Sequence, residues 1–237
     1  MKTGIITALS SEARCLTDKN CKPGIATQVS STALVVLSGM GLEHVENAIE
    51  VLRSSNVELL VSFGTAAALD PGLKSGDVVL PANVILANKQ SLNIASTYRE
   101  RILQDLQHYP FNVHTGDMCE SKAVIGNPAE KLELFNLHSA IALDMESGII
   151  ASAAAALQLP MIVLRIVVDE ADTSIPHEVL ECCDEYGNAR PLLLALAVLK
   201  KPRLLRRLIT LGKHYGKARK GMTWLSKNID LISDSSA

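Results

Sequence analysis

Apolar positions in this chain come in short runs, and segments with helical spacing lie between them. Residues 3–9, 34–37, 57–63, 140–143 and 161–168 read as strands. The run at 57–63 is continuously apolar, as in a strand buried on both faces. A shorter run, 77–80, stops at Pro81, which marks an edge or a strand end. Residues 43–53 carry Val45, Ala48, Ile49 and Leu52, the spacing of a helix with one buried face. Residues 131–137 and the Ala-rich 148–157, closed by Pro160, add to the helical set. Residues 189–199 form a strongly apolar helix, expected in the core. This alternation predicts one three-layer α/β/α domain over residues 1–199, with a central sheet that is mixed or parallel. The polar, irregular stretch 169–188 suits an active-site loop. The polar end, 230–237, is expected to be a disordered tail.

A chain of 237 residues can bury a full core, and its 48% hydrophobic share is ordinary for a globular protein. No apolar run reaches the ~18 uncharged residues of a spanning helix. The first residues run straight into a strand and lack the flanks of a signal peptide. Five scattered cysteines without a C-x-x-C pair favour reduced thiols and a cytoplasmic setting. The six histidines show no ligand spacing, so no metal site is expected. Charge is unevenly spread. Residues 186–229 contain no Asp or Glu, yet hold eleven of the 23 Lys and Arg. Residues 200–229 therefore read as a basic amphipathic extension, helical from about Arg203. Leu204, Leu205, Leu208 and Leu211 would form its stripe, with Arg203, Arg206, Arg207 and Lys213 off it. Over residues 200–220 this is the pattern of a helix lying on an anionic membrane, which adds peripheral attachment at the inner membrane face to the cytoplasmic expectation. A helix packed on its own domain or on a second subunit fits as well. The few aromatics, Tyr215 and Trp224, argue against nucleic acid.

Chemistry gathers at the ends of the apolar runs. Ser38-Gly39-Met40-Gly41 follows a strand and opens a helix, a place where backbone N–H groups can meet a ligand. It fails the dinucleotide fingerprint, since His44 stands at the third glycine position, and this counts against a nicotinamide-dependent oxidoreductase. Phe63-Gly64-Thr65-Ala66 reads as a second small-residue turn at a strand end, where ligands of α/β sheets collect. Glu12 follows the first strand and reads either as a solvated helix-start residue or as a site carboxylate. Asp144-Met145-Glu146 and Asp169 put carboxylates at the edges of buried elements, and Arg165 puts a charge inside one. Such groups need a partner or a function. Helix capping is the alternative for Asp169, a first-turn helix position for Glu146, and core packing for Met145.

Six pieces in this order, G-I-I-T-A-L-S-S-E-A, S-G-M-G, F-G-T-A-A-A-L, K-S-G-D-V-V, D-M-E-S and V-L-R-I-V-V-D, resemble the nucleoside phosphorylase and 5′-methylthioadenosine/S-adenosylhomocysteine nucleosidase superfamily over roughly residues 3–198. The resemblance implies cleavage of the C–N ribosyl bond of a purine nucleoside, in a homo-oligomer without a cofactor. It implies Asp169 as the acid at the purine, Glu12 as the base for water and Arg165 as the group positioning the nucleophile. Glu146 would hold the ribose hydroxyls and Met145 would pack on the ribose. Gly64, Thr65 and Ala66 would line the sugar site together with Met40, and Met118 and Cys119 would fall in the loop holding the base. Three positions depart from the family: Val168 replaces a serine, Ala67-Ala68 replaces Gly-Gly, and Ser62 stands where phosphorylases carry a phosphate-gripping arginine. These favour water over inorganic phosphate as co-substrate and keep a binding protein without catalysis in play. The basic tail, with R-I-V-V-D-E-A-D and I-P-H-E-V-L-E-C-C-D-E-Y-G-N, resembles the hopanoid-associated phosphorylase-like branch. That branch implies removal of adenine from adenosylhopane, a lipid-linked nucleoside.

Overall fold

The computed structural model describes residues 1–94 and 96–229. The chain opens with β1 (Thr3–Thr7), α1 (Ser10–Leu16), β2 (Ala26–Gln28), β3 (Ala33–Leu37), α2 (Leu42–Ser54) and β4 (Leu59–Ala68). Then come β5 (Val78–Val79), β6 (Asn83–Ile85), β7 (Ser91–Asn93), α3 (Ser96–Asp105), β8 (Val113–His114) and β9 (Met118–Glu120). The remainder is α4 (Pro128–His138), β10 (Ala142–Asp144), α5 (Ser147–Leu157), β11 (Met161–Asp169), α6 (His177–Leu180), α7 (Pro191–Lys200) and α8 (Arg203–Asn228). The strands join one mixed sheet in the order β2-β3-β1-β4-β10-β9-β6-β7, and β11, β5 and β8 branch from β4.

β4 organises the sheet because it is long and almost wholly buried. Its first half pairs in parallel with β1, its last residues pair antiparallel with β10, and β11 runs parallel along it. One edge thus brings the ends of β1, β10 and β11 to the same place, where the predicted site residues stand. α2 and α5 pack together over the sheet, with Val45, Ala48, Ile49 and Leu52 buried as their spacing predicts. α1 and α8 pack against each other on the side that meets β11.

Three expectations need correction. Residues 63–66 form no turn: β4 continues through Gly64, Thr65 and Ala66, each paired with β11. The cross-strand hydrogen bonds of a buried neighbour outweigh the turn preference of one glycine. Second, the apolar helix at 189–199 is not core, since α7 has no buried residue. Third, the second half of the supposed C-terminal extension belongs to the domain. Ala218, Met222, Leu225 and Ile229 sit in the main core. Gly221 permits this close approach, because a Cβ there would fall 2.2 Å from the Tyr109 hydroxyl. Of the four predicted stripe leucines, Leu204 is buried, Leu208 and Leu211 are half-buried and Leu205 is exposed. The expected tail at 230–237 lies outside the described residues.

Candidate active site

Glu12 sits in the first turn of α1 and is buried. Its Oε2 accepts hydrogen bonds from Thr7 Oγ1 at 2.8 Å and from the Leu9 N–H at 3.1 Å. Its Oε1 accepts from the Thr65 N–H and Thr65 Oγ1, both at 2.8 Å. Four donors converge on one side chain, so the solvated-residue reading of Glu12 is ruled out. Gly64 makes this possible: a Cβ there would lie 2.4 Å from Arg165 Nη1 and 2.8 Å from Glu12 Oε1.

The segment from Asp144 to Ser147 divides labour between its two acids. Asp144 Oδ1 and Oδ2 accept from the N–H and hydroxyl of Ser147, and Oδ2 lies 2.6 Å from Arg165 Nε. Asp144 thereby satisfies the first N–H of α5 and neutralises Arg165. Arg165 also donates to the hydroxyls of Ser147 and Ser62, and its Nη2 lies 3.6 Å from Glu146 Oε2. Arg165 is thus held behind the cleft wall and is not among the residues lining the cleft, and its Nη1 lies against Gly64, beside the Glu12 carboxylate. Glu146 is left facing the cleft. Burial pushes its carboxyl up to about 8, Arg165 opposes the rise, and Asp144 and Glu12 add to it. Its folded value exceeds the ordinary 4.5, so its contribution to stability is complete below that pH and is lost as pH climbs through about 8. Glu146→Gln is therefore expected to flatten the fall in melting temperature between pH 6 and 8.5. Parallel melting curves for wild type and variant across that range would contradict this.

Asp169 ends β11 at a bulge: β11 pairs Val167 with Ala66 and Asp169 with Ala67, leaving Val168 over. Neighbouring side chains on a regular strand point to opposite faces, and a bulge re-aims one of them. Both Val168 and Asp169 accordingly line the cleft. Behind Asp169 lies Lys131, fully buried, with Nζ 2.5 Å from Asp169 Oδ2 and two further bonds to the carbonyls of Glu170 and Thr173. Burial raises the Asp169 carboxyl above its ordinary range, against the pull of Lys131 and, more weakly, His214. Lys131 went unrecognised in the sequence, although a signal exists. It stands three and four positions before Leu134 and Phe135, which pack on the smaller core cluster, so it shares the buried stripe of α4.

The cleft is lined by Glu12, Asp144, Glu146 and Asp169, by Met40, Thr65, Ala66, Ala67 and Met145, and by apolar side chains including Leu9, Val124, Ile125, Val168 and Ile175. No Lys, Arg or His is among its lining residues. Of the predicted residues, Asp169, Glu12, Glu146, Met145, Thr65, Ala66 and Met40 come together. Met118 and Cys119 do not. They are buried in β9, paired with Ala142 and Leu143 of β10, and the segment 123–125 lines the cleft in their place. The Met40 amide, expected to face a ligand, donates to the Glu185 carbonyl. Among the described residues no cluster of three or more His, Cys, Asp or Glu can hold a metal ion.

The family model described as the phosphorylase superfamily matches residues 24–199. A 5′-methylthioadenosine/S-adenosylhomocysteine nucleosidase of Glaesserella parasuis is 26% identical over 207 residues, covering 73% of this chain and 87% of the relative. Among solved structures, the MTA/SAH nucleosidase of Streptococcus pneumoniae in complex with 8-aminoadenine is 24% identical, with a TM-score of 0.63 over 73% of this chain and 87% of that one. The 5′-methylthioadenosine/S-adenosylhomocysteine nucleosidase of Neisseria meningitidis in complex with methylthio-immucillin-A is 20% identical, with a TM-score of 0.65 over 72% and 87%. The three-layer fold is therefore shared with these enzymes.

Proposed function

The chain belongs to the phosphorylase superfamily, and we propose that it hydrolyses the N-ribosyl bond of an adenine nucleoside. The observation that carries the choice of water is that no cation lines the cleft. Four acidic side chains line it, and the cations nearest to it, Arg165 and Lys131, are buried behind its wall in contact with carboxyl groups. Ser62 occupies the position of the phosphorylase arginine and is bonded to Ser147 and Arg165. A phosphate dianion entering this cleft would find no lining cation to bind it, whereas a neutral water needs none.

In the reaction, C1′–N9 breaks and its electron pair leaves with the purine. Asp169 donates a proton at N7, so adenine departs neutral. The ribosyl group gains positive charge as in glycoside hydrolysis, and Glu146 accepts hydrogen bonds from the sugar hydroxyls. Glu12 takes a proton from water as its oxygen bonds to C1′. The Thr7 and Thr65 hydroxyls can rotate to free an oxygen of Glu12 for that water, whereas the Leu9 and Thr65 amides hold the carboxylate in place. Lys131 is a positioning residue: it gives Asp169 the hydrogen bond that Val168 cannot supply. Because Lys131 favours the ionised form of Asp169, Lys131→Met is expected to lower the maximal rate and move the alkaline limb of kcat/KM to higher pH. A pH profile of unchanged shape would reduce Lys131 to a structural residue.

The finer reading concerns the 5′ substituent. The apolar wall of Leu9, Val124, Ile125 and Ile175 suits a hydrocarbon, and adenosylhopane is the candidate that the sequence resemblance brings. 5′-Methylthioadenosine is the second reading, favoured by the activity in the name of the Glaesserella parasuis relative. Adenine release from adenosine, 5′-methylthioadenosine, S-adenosylhomocysteine and detergent-dispersed adenosylhopane separates them. The expected order of kcat/KM follows hydrocarbon at C5′, with S-adenosylhomocysteine and its charged tail low. A preference for S-adenosylhomocysteine would contradict it.

A further inference from the structure

α7 reads Pro-Leu-Leu-Leu-Ala-Leu-Ala-Val-Leu-Lys, and a helix this apolar normally lies in a core. Here it has no buried residue, and Leu192 and Leu199 are 74% and 76% exposed. The exposure continues into α8, where Leu205 and Ile209 are also open. Around these apolar positions stand Lys200, Lys201, Arg203, Arg206 and Arg207, all exposed. Leaving so many leucines against water is unfavourable, and soluble surfaces rarely do so over consecutive elements.

We infer that α7 and the first turns of α8 form a docking surface for a lipid bilayer containing anionic lipids. Charge selects this occupant. Residues 186–229 contain no Asp or Glu, so the surface is complementary to an anionic headgroup layer. A second copy docked about a two-fold axis would set the same basic surface against itself. Nucleic acid would be met by stacking aromatics, and residues 189–213 contain none. Length selects the mode. α7 has 10 residues, and among the described residues no helix is long and apolar enough to cross a membrane. The surface therefore lies on the bilayer, with leucines among the acyl chains and Lys and Arg at the headgroups. It is also near the cleft. α6 begins two residues after the cleft-lining Ile175 and packs on α7, and Glu178 of α6 is ion-paired with Lys201 at the α7–α8 junction.

The inference stands apart from the nucleosidase reading and is tested without it. Because the second half of α8 is core, the test uses full-length chain with substitutions only. Sedimentation with phosphatidylcholine vesicles is compared with that of vesicles containing phosphatidylglycerol, for wild type, Arg203→Glu/Arg206→Glu/Arg207→Glu and Leu192→Ser/Leu196→Ser/Leu199→Ser. Wild type is expected to prefer the anionic vesicles and to be released by salt. Each variant is expected to lose about tenfold or more in partitioning, with melting temperature and adenine release from a soluble nucleoside unchanged. Equal sedimentation with both vesicle types would overturn the inference, as would variants that bind like wild type. A leucine variant that converts a lipid-free dimer into a monomer would also overturn it, giving the face to a second copy. Failure of adenine release with vesicle binding intact would count against the nucleosidase reading alone.

Discussion

Asp169→Asn is expected to lower kcat by about 10²–10⁴-fold with little change in KM, the usual contribution of a positioned general acid. Adenine cannot leave readily as an anion, and asparagine has no acidic proton to give N7. The substitution has a second consequence. Lys131 is fully buried, and among the described residues its anionic partner is Asp169. Removing one member of a buried ion pair typically costs about 3–5 kcal/mol. Loss of stability alone also slows a variant, so the decisive comparison is Asp169→Asn with Asp169→Asn/Lys131→Met. The double variant is expected to recover melting temperature and recover no activity. Return of turnover together with stability would remove Asp169 from the chemistry.

Glu12→Gln is expected to abolish most turnover, by about 10²-fold or more, while adenine and nucleoside analogues still bind. The carboxylate accepts four hydrogen bonds, two of them from backbone amides that cannot turn away. Glutamine keeps the shape but presents an amide N–H₂ to one of these pairs, leaving a buried donor unsatisfied at about 1–3 kcal/mol. Calorimetric titration with adenine, read beside adenine release, separates the two effects. Binding lost in proportion to turnover would make Glu12 a binding group and contradict its role as base.

Much of the fold could be read from the chain because its layers announce themselves in periodicity. The helix at 43–53 buries the four residues that its spacing marks, and the apolar run at 161–168 is a strand up to its terminal acid. Where reading failed, tertiary contacts overrode local preference. Gly64 resembles a turn glycine, yet it serves as a gap in β4 that admits Arg165 and Glu12. The helix at 189–199 looks like core by composition, and only the packing reveals that nothing lies over it. The site was legible to the extent that its residues end or follow strands: Glu12, Glu146 and Asp169 converge as expected. Arg165 was recognised as a charge needing a partner, and Asp144 and Glu146 are its partners behind the cleft wall. Met118 and Cys119 were misplaced because their strand is only three residues long, and its burial comes from pairing with β10 and β6. Lys131 was overlooked because a lysine in a helix is ordinarily solvated, and its buried face emerges only from its register with Leu134 and Phe135. The charge of the cleft was not legible at all, since it depends on which cations end up behind the wall.

The central claim is water as the nucleophile in a cleft without an accessible cation. It is tested most directly by incubating the protein with a soluble adenine nucleoside in phosphate-free buffer and again with millimolar phosphate, measuring adenine and the sugar product. The expected result is the same rate of adenine release in both, with free ribosyl sugar as the only partner product. Release that requires phosphate and yields a sugar 1-phosphate would contradict the account.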